Sequence, residues 1–142
     1  MELEGKVWKS KDHWLVKVSS LEIMTQGETR EEALFMIKDA IMEYMVYYFE
    51  NEIEVFELVI NDYKKSLFGI TSNNNKLLLA LSLRKQREKS GSTVREVSKR
   101  LGSISPNYYA QYEKGKTRIS LDQYEKLLQA ANPEQPRLLR VV

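Results

Sequence analysis

Hydrophobic positions along the chain change their period three times. Trp14, Val16 and Val18 alternate with Leu15, Lys17 and Ser19, the two-residue period of a strand with one buried face. The alternation predicts a strand pair over residues 3–11 and 14–20, joined through the polar Lys11-Asp12-His13, and Leu21 to Gly27 continues extended. From Thr29 the period becomes helical. Thr29-Arg30-Glu31-Glu32 reads as a capping box, in which the Thr29 hydroxyl accepts from the third helical amide and Glu32 reaches back to the cap. Ala33, Leu34, Ile37, Ala40, Ile41, Tyr44, Met45 and Tyr48 then recur at three- and four-residue intervals. Phe35, Met36, Met42, Val46 and Tyr47 widen that stripe beyond what one sheet needs. Either the core is thick there or the helix end approaches a loop, or the helix has a second face for self-association or a partner. Residues 54–61 and 65–71 predict two further strands joined at Asn61-Asp62.

Beyond the polar run Ser72-Asn73-Asn74-Asn75 the pattern is helical throughout. Leu77, Leu78, Leu81 and Leu83 precede Arg84-Lys85-Gln86-Arg87-Glu88-Lys89, which predicts a helix buried at its front, solvated at its end and closed at Ser90-Gly91. Thr93-Val94-Arg95-Glu96 is a second capping box, with Val94, Val97 and Leu101 inward and Gly102 as the stop. Ser105 as cap and Pro106 at the first helical position predict a third helix, carrying Tyr108, Tyr109 and Tyr112 as far as Gly115. Of these tyrosines, 109 and 112 read as core and Tyr108 as outward-facing. Ser120 and Gln123 cap a fourth helix with Leu121, Tyr124, Leu127 and Leu128 inward, ended by Asn132-Pro133. Two short helices around a glycine-bearing turn within four helices make a helix-turn-helix.

Charge sharpens this division. Residues 1–75 hold 8 Lys/Arg against 14 Asp/Glu, a net of −6, whereas residues 76–142 hold 14 against 6, a net of +8. The basic half suits a polyanion and the acidic half something cationic. There is no cysteine and one histidine, so disulfides, thiol nucleophiles and cysteine-ligated zinc are excluded, and His13 reads as a surface or strand-edge residue. The carboxylates Glu50, Glu52, Glu54, Glu57 and Asp62 lack a calcium-loop glycine pattern and read as a solvated acidic rim. No run of eighteen apolar residues suggests a membrane span, and the acidic start is unlike a signal peptide. The expectation is a cytoplasmic protein that is not an enzyme and needs no metal or cofactor.

Two resemblances refine the picture. The stretch Thr25-Gln26-Gly27-Glu28-Thr29, followed by Glu32-Ala33-Leu34 and then Ile37, Asp39, Ala40 and Ile41, resembles the N-terminal domain of HicB-type antitoxins. That family implies a reduced ribonuclease-H-like sheet packed on a helix, without the nuclease carboxylates. The chain departs from it where a Pro-acidic-Leu-Pro-Gly stretch is usual and Ser19 to Ile23 stands instead. Residues 77–131 resemble the Cro/repressor (XRE) helix-turn-helix, through Arg87, Gly91, Thr93, Ser98, Leu101-Gly102, Ile104-Ser105, Tyr109, Tyr112-Glu113 and Gly115-Lys116. One extra residue, Ser103 or Ile104, stands in the turn, and Val94 replaces a commonly phosphate-contacting Gln. The fold class expected is thus α+β, a HicB-type sheet and helix followed by an all-α helix-turn-helix domain. The divisions are 1–72 for toxin binding or dimerisation, 73–75 as linker, 76–135 for DNA binding and 136–142 as a tail.

The second helix of such a pair enters the major groove, and by resemblance its reading positions fall on Pro106, Asn107, Tyr108 and Gln111. Pro106 offers no donor, whereas Asn and Gln pair bidentately with adenine, which puts base reading on Asn107 and Gln111. Thr93, Arg95, Lys99, Arg100, Lys114, Lys116 and Arg118 are the phosphate candidates. The HicB resemblance implies a second partner, a small basic ribonuclease toxin of the HicA type neutralised by occlusion. Its expected contacts are Trp14, Glu22, Met24, Glu50, Glu52 and Glu54. Self-association as a homodimer, or a higher even-numbered assembly, would present two recognition helices to a palindrome. The alternative is a dimeric helix-turn-helix regulator with no toxin partner. A residual nuclease would need carboxylates converging on two metal ions, and the strands offer mainly Trp, Val, Lys and Ser.

Overall fold

The computed structural model describes residues 1–135; the tail at 136–142, with Leu138, Leu139, Val141 and Val142, lies outside the described residues. The chain divides into two compact units, Met1–Asn75 and Lys76–Val142. Its class is α+β.

The first unit is an antiparallel sheet of order β3-β2-β1-β5-β4, made by β1 (Leu3–Ser10), β2 (His13–Val18), β3 (Ile23–Gly27), β4 (Leu58–Asp62) and β5 (Leu67–Ser72). Helix α1 (Arg30–Tyr48) covers one face. Alternation sets that face: Val7 pairs with Val16, Val18 with Ile23 and Leu3 with Ile70, all buried. Against them α1 buries Ala33, Ile37, Ile41 and Met45, spaced every fourth residue. The buried stripe is therefore narrower than the sequence pattern. Phe35, Val46 and Tyr47 face solvent, at 66%, 47% and 79% exposure, which decides against the thick core.

Local hydrogen bonding corrects several expected boundaries. Between β2 and β3 the chain makes a turn of 3-10 helix at Ser19–Leu21, and Glu22 takes a left-handed φ of 53°, so 21–27 is not one extended run. Thr29 does accept from the Glu32 amide, but the Glu32 carboxylate receives the Glu28 amide at 3.0 Å rather than that of Thr29. The predicted strand 54–61 starts only at Leu58. Before it, residues 50–57 turn, with Val55 79% exposed and Phe56 buried against the core. The β4–β5 reversal also comes later than Asn61-Asp62: Asp62 still pairs with Phe68 in the sheet, and its carboxylate accepts the Lys64 amide at 2.7 Å to begin the turn. The polar run 73–75 is not a free linker. Asn73 Oδ1 accepts the Glu57 amide at 2.9 Å, and Asn75 both accepts from the Ser72 amide at 3.2 Å and begins the next helix.

In the second unit, the described residues form α2 (Asn75–Ser90), α3 (Val94–Arg100), α4 (Asn107–Glu113) and α5 (Leu121–Ala131). Helix α2 is buried at every position from Leu77 to Leu83 and becomes solvated toward Lys89. Both expected capping boxes, Thr93/Glu96 and Ser120/Gln123, form with both hydrogen bonds. Leu121, by contrast, is 61% exposed, since at the first helical position it precedes the face that buries Tyr124, Leu127 and Leu128.

Candidate nucleic-acid interface

Helix α3 and helix α4 are joined by a turn whose geometry follows from Gly102. With φ at +86°, Gly102 lets its amide reach Lys99 O at 3.0 Å and the Ser103 amide reach Ser98 O at 2.9 Å. These two bonds form a Schellman close to α3. The far side of the turn departs from expectation. Ser105 does not cap α4 with its side chain; Pro106 is already in the right-handed helical region and occupies the cap position. The Ser105 amide instead donates to Ser103 Oγ at 3.2 Å, and Ser105 O accepts the Tyr108 amide at 3.2 Å. A local serine–serine contact thus stands where a side-chain cap of α4 was expected.

Ser98 fixes the angle between the two helices. Fully buried, its hydroxyl donates to Pro106 O at 3.1 Å and accepts the Tyr109 amide at 3.1 Å. One small side chain thus satisfies a carbonyl and an amide of the first turn of α4, where a bulkier residue would push the helices apart. Tyr109, also fully buried, donates to Leu83 O at 3.3 Å and locks α4 onto α2. Burial pushes the Tyr109 phenol well up, and likewise that of Tyr124, which meets the Ser82 hydroxyl, so both remain neutral.

The end of α4 is tied by an ion pair. Arg87 on α2 meets Glu113 with two hydrogen bonds, at 2.7 and 3.0 Å, and also donates to Ser92 O at 3.1 Å. The pair is largely shielded, with side chains 15% and 7% exposed, and the Glu113 contact raises the affinity of Arg87 for its proton. Fork-to-carboxylate geometry of this kind fixes orientation as well as charge. Gly115 follows with φ at +70°, in a place where a Cβ would lie 2.5 Å from Leu77 Cδ2. Arg87 and Glu113 both stood out in the sequence, but their contact, across 26 positions, did not. An arginine near the end of one helix and a glutamate two before a turn glycine were the only signals.

With α4 so held, its outer face gathers the base-reading candidates. Asn107, Tyr108 and Gln111 line an open groove of about 470 Å³, together with Ser103, Ser105, Ala110 and Lys114. Tyr108 is 45% exposed while Tyr109 and Tyr112 are buried, as the sequence assigned them. The Gln111 amide rests on Tyr108 O at 3.0 Å, within its own helix, so it can turn outward without breaking tertiary structure. Pro106 is half-buried, and its carbonyl is taken by Ser98 and the Ala110 amide, which leaves it a helix-starting role.

The phosphate candidates separate into four groups. Arg95 and Lys99 lie four apart on exposed positions of α3, and Lys114, Lys116 and Arg118 are exposed from the end of α4 into the following loop. Thr93 is exposed at the start of α3, its hydroxyl oxygen accepting the Glu96 amide. The backbone and side-chain contacts with Thr93 hold Glu96 below the usual carboxylate range. Arg100 is different. Its Nη1 donates to Ser92 Oγ and to Ala130 O, both at 2.8 Å, tying α3 to the end of α5. These bonds use one nitrogen of its guanidinium, and the residue remains exposed.

The expected toxin contacts are not gathered into one surface. Trp14, half-buried, shares a sheet face with Val16 and Val18, whereas Met24, 54% exposed, lies opposite Lys17 on the other face. Glu22 sits at the left-handed residue before β3, and Glu50, Glu52 and Glu54 follow α1 in the turning segment. Period-two alternation alone separates Trp14 from Met24.

Residues 83–134 match the sequence profile of the Helix-turn-helix family. The match covers the turn, Ser98, the Arg87–Glu113 pair and all of α4, and it supports a DNA-binding region of the Cro/repressor type. It lies within the second unit and does not extend to the first. No curated protein matches the chain. Among the described residues, no helix is long and apolar enough to cross a membrane.

Proposed function

We propose that this chain is a cytoplasmic DNA-binding transcription regulator that pairs on a palindromic operator, and that its first unit neutralises a HicA-type ribonuclease toxin by occlusion. The DNA-binding part rests on one observation above all. Asn107, Tyr108 and Gln111 share the open face of a helix that Ser98, Tyr109 and Glu113 hold rigidly, within residues that match the Helix-turn-helix family. Asn and Gln on that face read adenine edges, while Lys114, Lys116, Arg118, Arg95 and Lys99 neutralise phosphates. Two copies would place their recognition helices about 34 Å apart, one turn of the duplex.

The toxin-neutralising part is supported by the resemblance of the segment around Thr25 to Ile41 to HicB antitoxins and by the net −6 of the first 75 residues. A cationic ribonuclease would be covered and its access blocked, with no chemistry by this chain and no cofactor. Co-expression with the product of the adjacent reading frame tests it: a stable complex lacking ribonuclease activity is expected. An adjacent product that does not bind would sink this role.

A second reading, a dimeric regulator without a toxin, is favoured by the solvent-facing Phe35 and Val46 on α1, which suit pairing of first units. Recovery of self-complexes alone from native cells would favour that reading. The DNA-binding part is tested separately by Gln111→Ala, which should relax preference at one operator position by about 1–3 kcal/mol.

A further inference from the structure

We infer that Ile104, at the apex of the turn before α4, is an apolar DNA contact that covers the 5-methyl group of a thymine beside the bases read by α4. This inference rests on the DNA-binding reading. Among the large hydrophobic residues described as exposed, Ile104 is the most open, at 97%, so it contributes nothing to the core. The turn around it is nonetheless firmly built. On one side the Ser103 amide is held by Ser98 O at 2.9 Å; across the apex the Ser105 amide donates to Ser103 Oγ at 3.2 Å; on the other side Ser105 O receives the Tyr108 amide at 3.2 Å. A β-branched side chain on such a backbone has few rotamers to lose when covered. An isolated exposed isoleucine is ordinarily uninformative. Here its neighbours on both sides, Ser103 and Ser105, line the same groove as Asn107, Tyr108 and Gln111, so the apex borders the recognition face.

The occupant follows from that continuity and from charge. The surface belongs to the half of the chain with a net of +8, which brings a polyanion and repels a basic protein partner. Within the major groove, the thymine methyl is the apolar feature that distinguishes A·T from the other pairs, and apolar side chains read it.

The test uses the full-length chain and duplexes selected from a randomised pool at fixed salt. Each thymine of the selected half-site is then replaced singly by uracil, which removes only the methyl group. The wild-type chain should lose about fourfold in affinity at one or two positions, the worth of one buried methyl. Ile104→Ala should bind the thymine duplex about fourfold more weakly and show no further loss with uracil at those positions. Its thermal midpoint should match the wild type, because the side chain is exposed. Wild-type affinity in Ile104→Ala, or the same uracil penalty with and without Ile104, overturns the inference while leaving the DNA-binding reading intact. Failure of the wild-type chain to enrich any sequence overturns both.

Discussion

Replacing Glu113 by alanine tests whether the ion pair holds the recognition helix. The substitution removes two hydrogen bonds, at 2.7 and 3.0 Å, and leaves the Arg87 guanidinium with the Ser92 carbonyl in a site where its side chain is 15% exposed. Breaking a fully buried pair from one side costs about 3–5 kcal/mol. Water reaches Arg87 in part, so about 2–3 kcal/mol is expected here. For a unit of this size that lowers the thermal midpoint by roughly 10–20 °C. The two tryptophans, Trp8 and Trp14, both lie in the first unit, so their fluorescence follows that unit. Far-ultraviolet circular dichroism also sees the helices of the second. Glu113→Ala should move the dichroism transition, and the extent to which fluorescence follows reports coupling between the units. Arg87→Met combined with Glu113→Ala should cost less than the two single changes together by about 1–3 kcal/mol, because no unpaired charge remains. A loss below about 1 kcal/mol, or additive single changes, would refute the reasoning.

Other perturbations address other links. Gly115→Ala requires a left-handed alanine whose Cβ meets Leu77 at 2.5 Å, so a loss of at least about 1–2 kcal/mol is expected in chemical denaturation; an unchanged midpoint would show that the turn relaxes freely. Lys116→Ala should weaken all DNA sequences alike and reduce the salt slope of binding by about one, whereas a sequence-dependent loss would place Lys116 on a base. In the first unit, the Arg30 hydrogen bond, at 2.7 Å, holds the Asp62 carboxyl below the usual aspartate range. A depressed value means the contribution is complete above the unfolded aspartate pKa of about 3.9 and is lost as pH falls through the folded value. Asp62→Asn should therefore flatten part of the acid limb of urea midpoints followed by tryptophan fluorescence. Glu2, held low by Tyr63 and Asn61, should retain the rest; an unaltered limb would exclude the Arg30 pair as a source.

What the sequence determined by itself is local. Period-two alternation located β1, β2 and the buried Val16 and Val18, and serine and threonine caps located the starts of α1, α3 and α5, because those signals act over a few residues. The change of period and the charge division near residue 75 separated the two units for the same reason. That Asn107, Tyr108 and Gln111 share one side of α4 was legible too, once the helix was placed. Tertiary structure decided what depends on distant partners. The burial of only one stripe of α1 depends on where the sheet lies, which left Phe35 and Val46 outside despite their hydrophobicity. The hydrogen bonds of Arg100 to Ser92 and Ala130 join positions up to 30 apart. The same holds for Arg87 with Glu113. A charged side chain on an exposed helix looks alike in sequence whether it faces a ligand or its own fold. Only the packing of the helices, set by buried Ser98 and Tyr109, fixes which carbonyl or carboxylate comes within its reach.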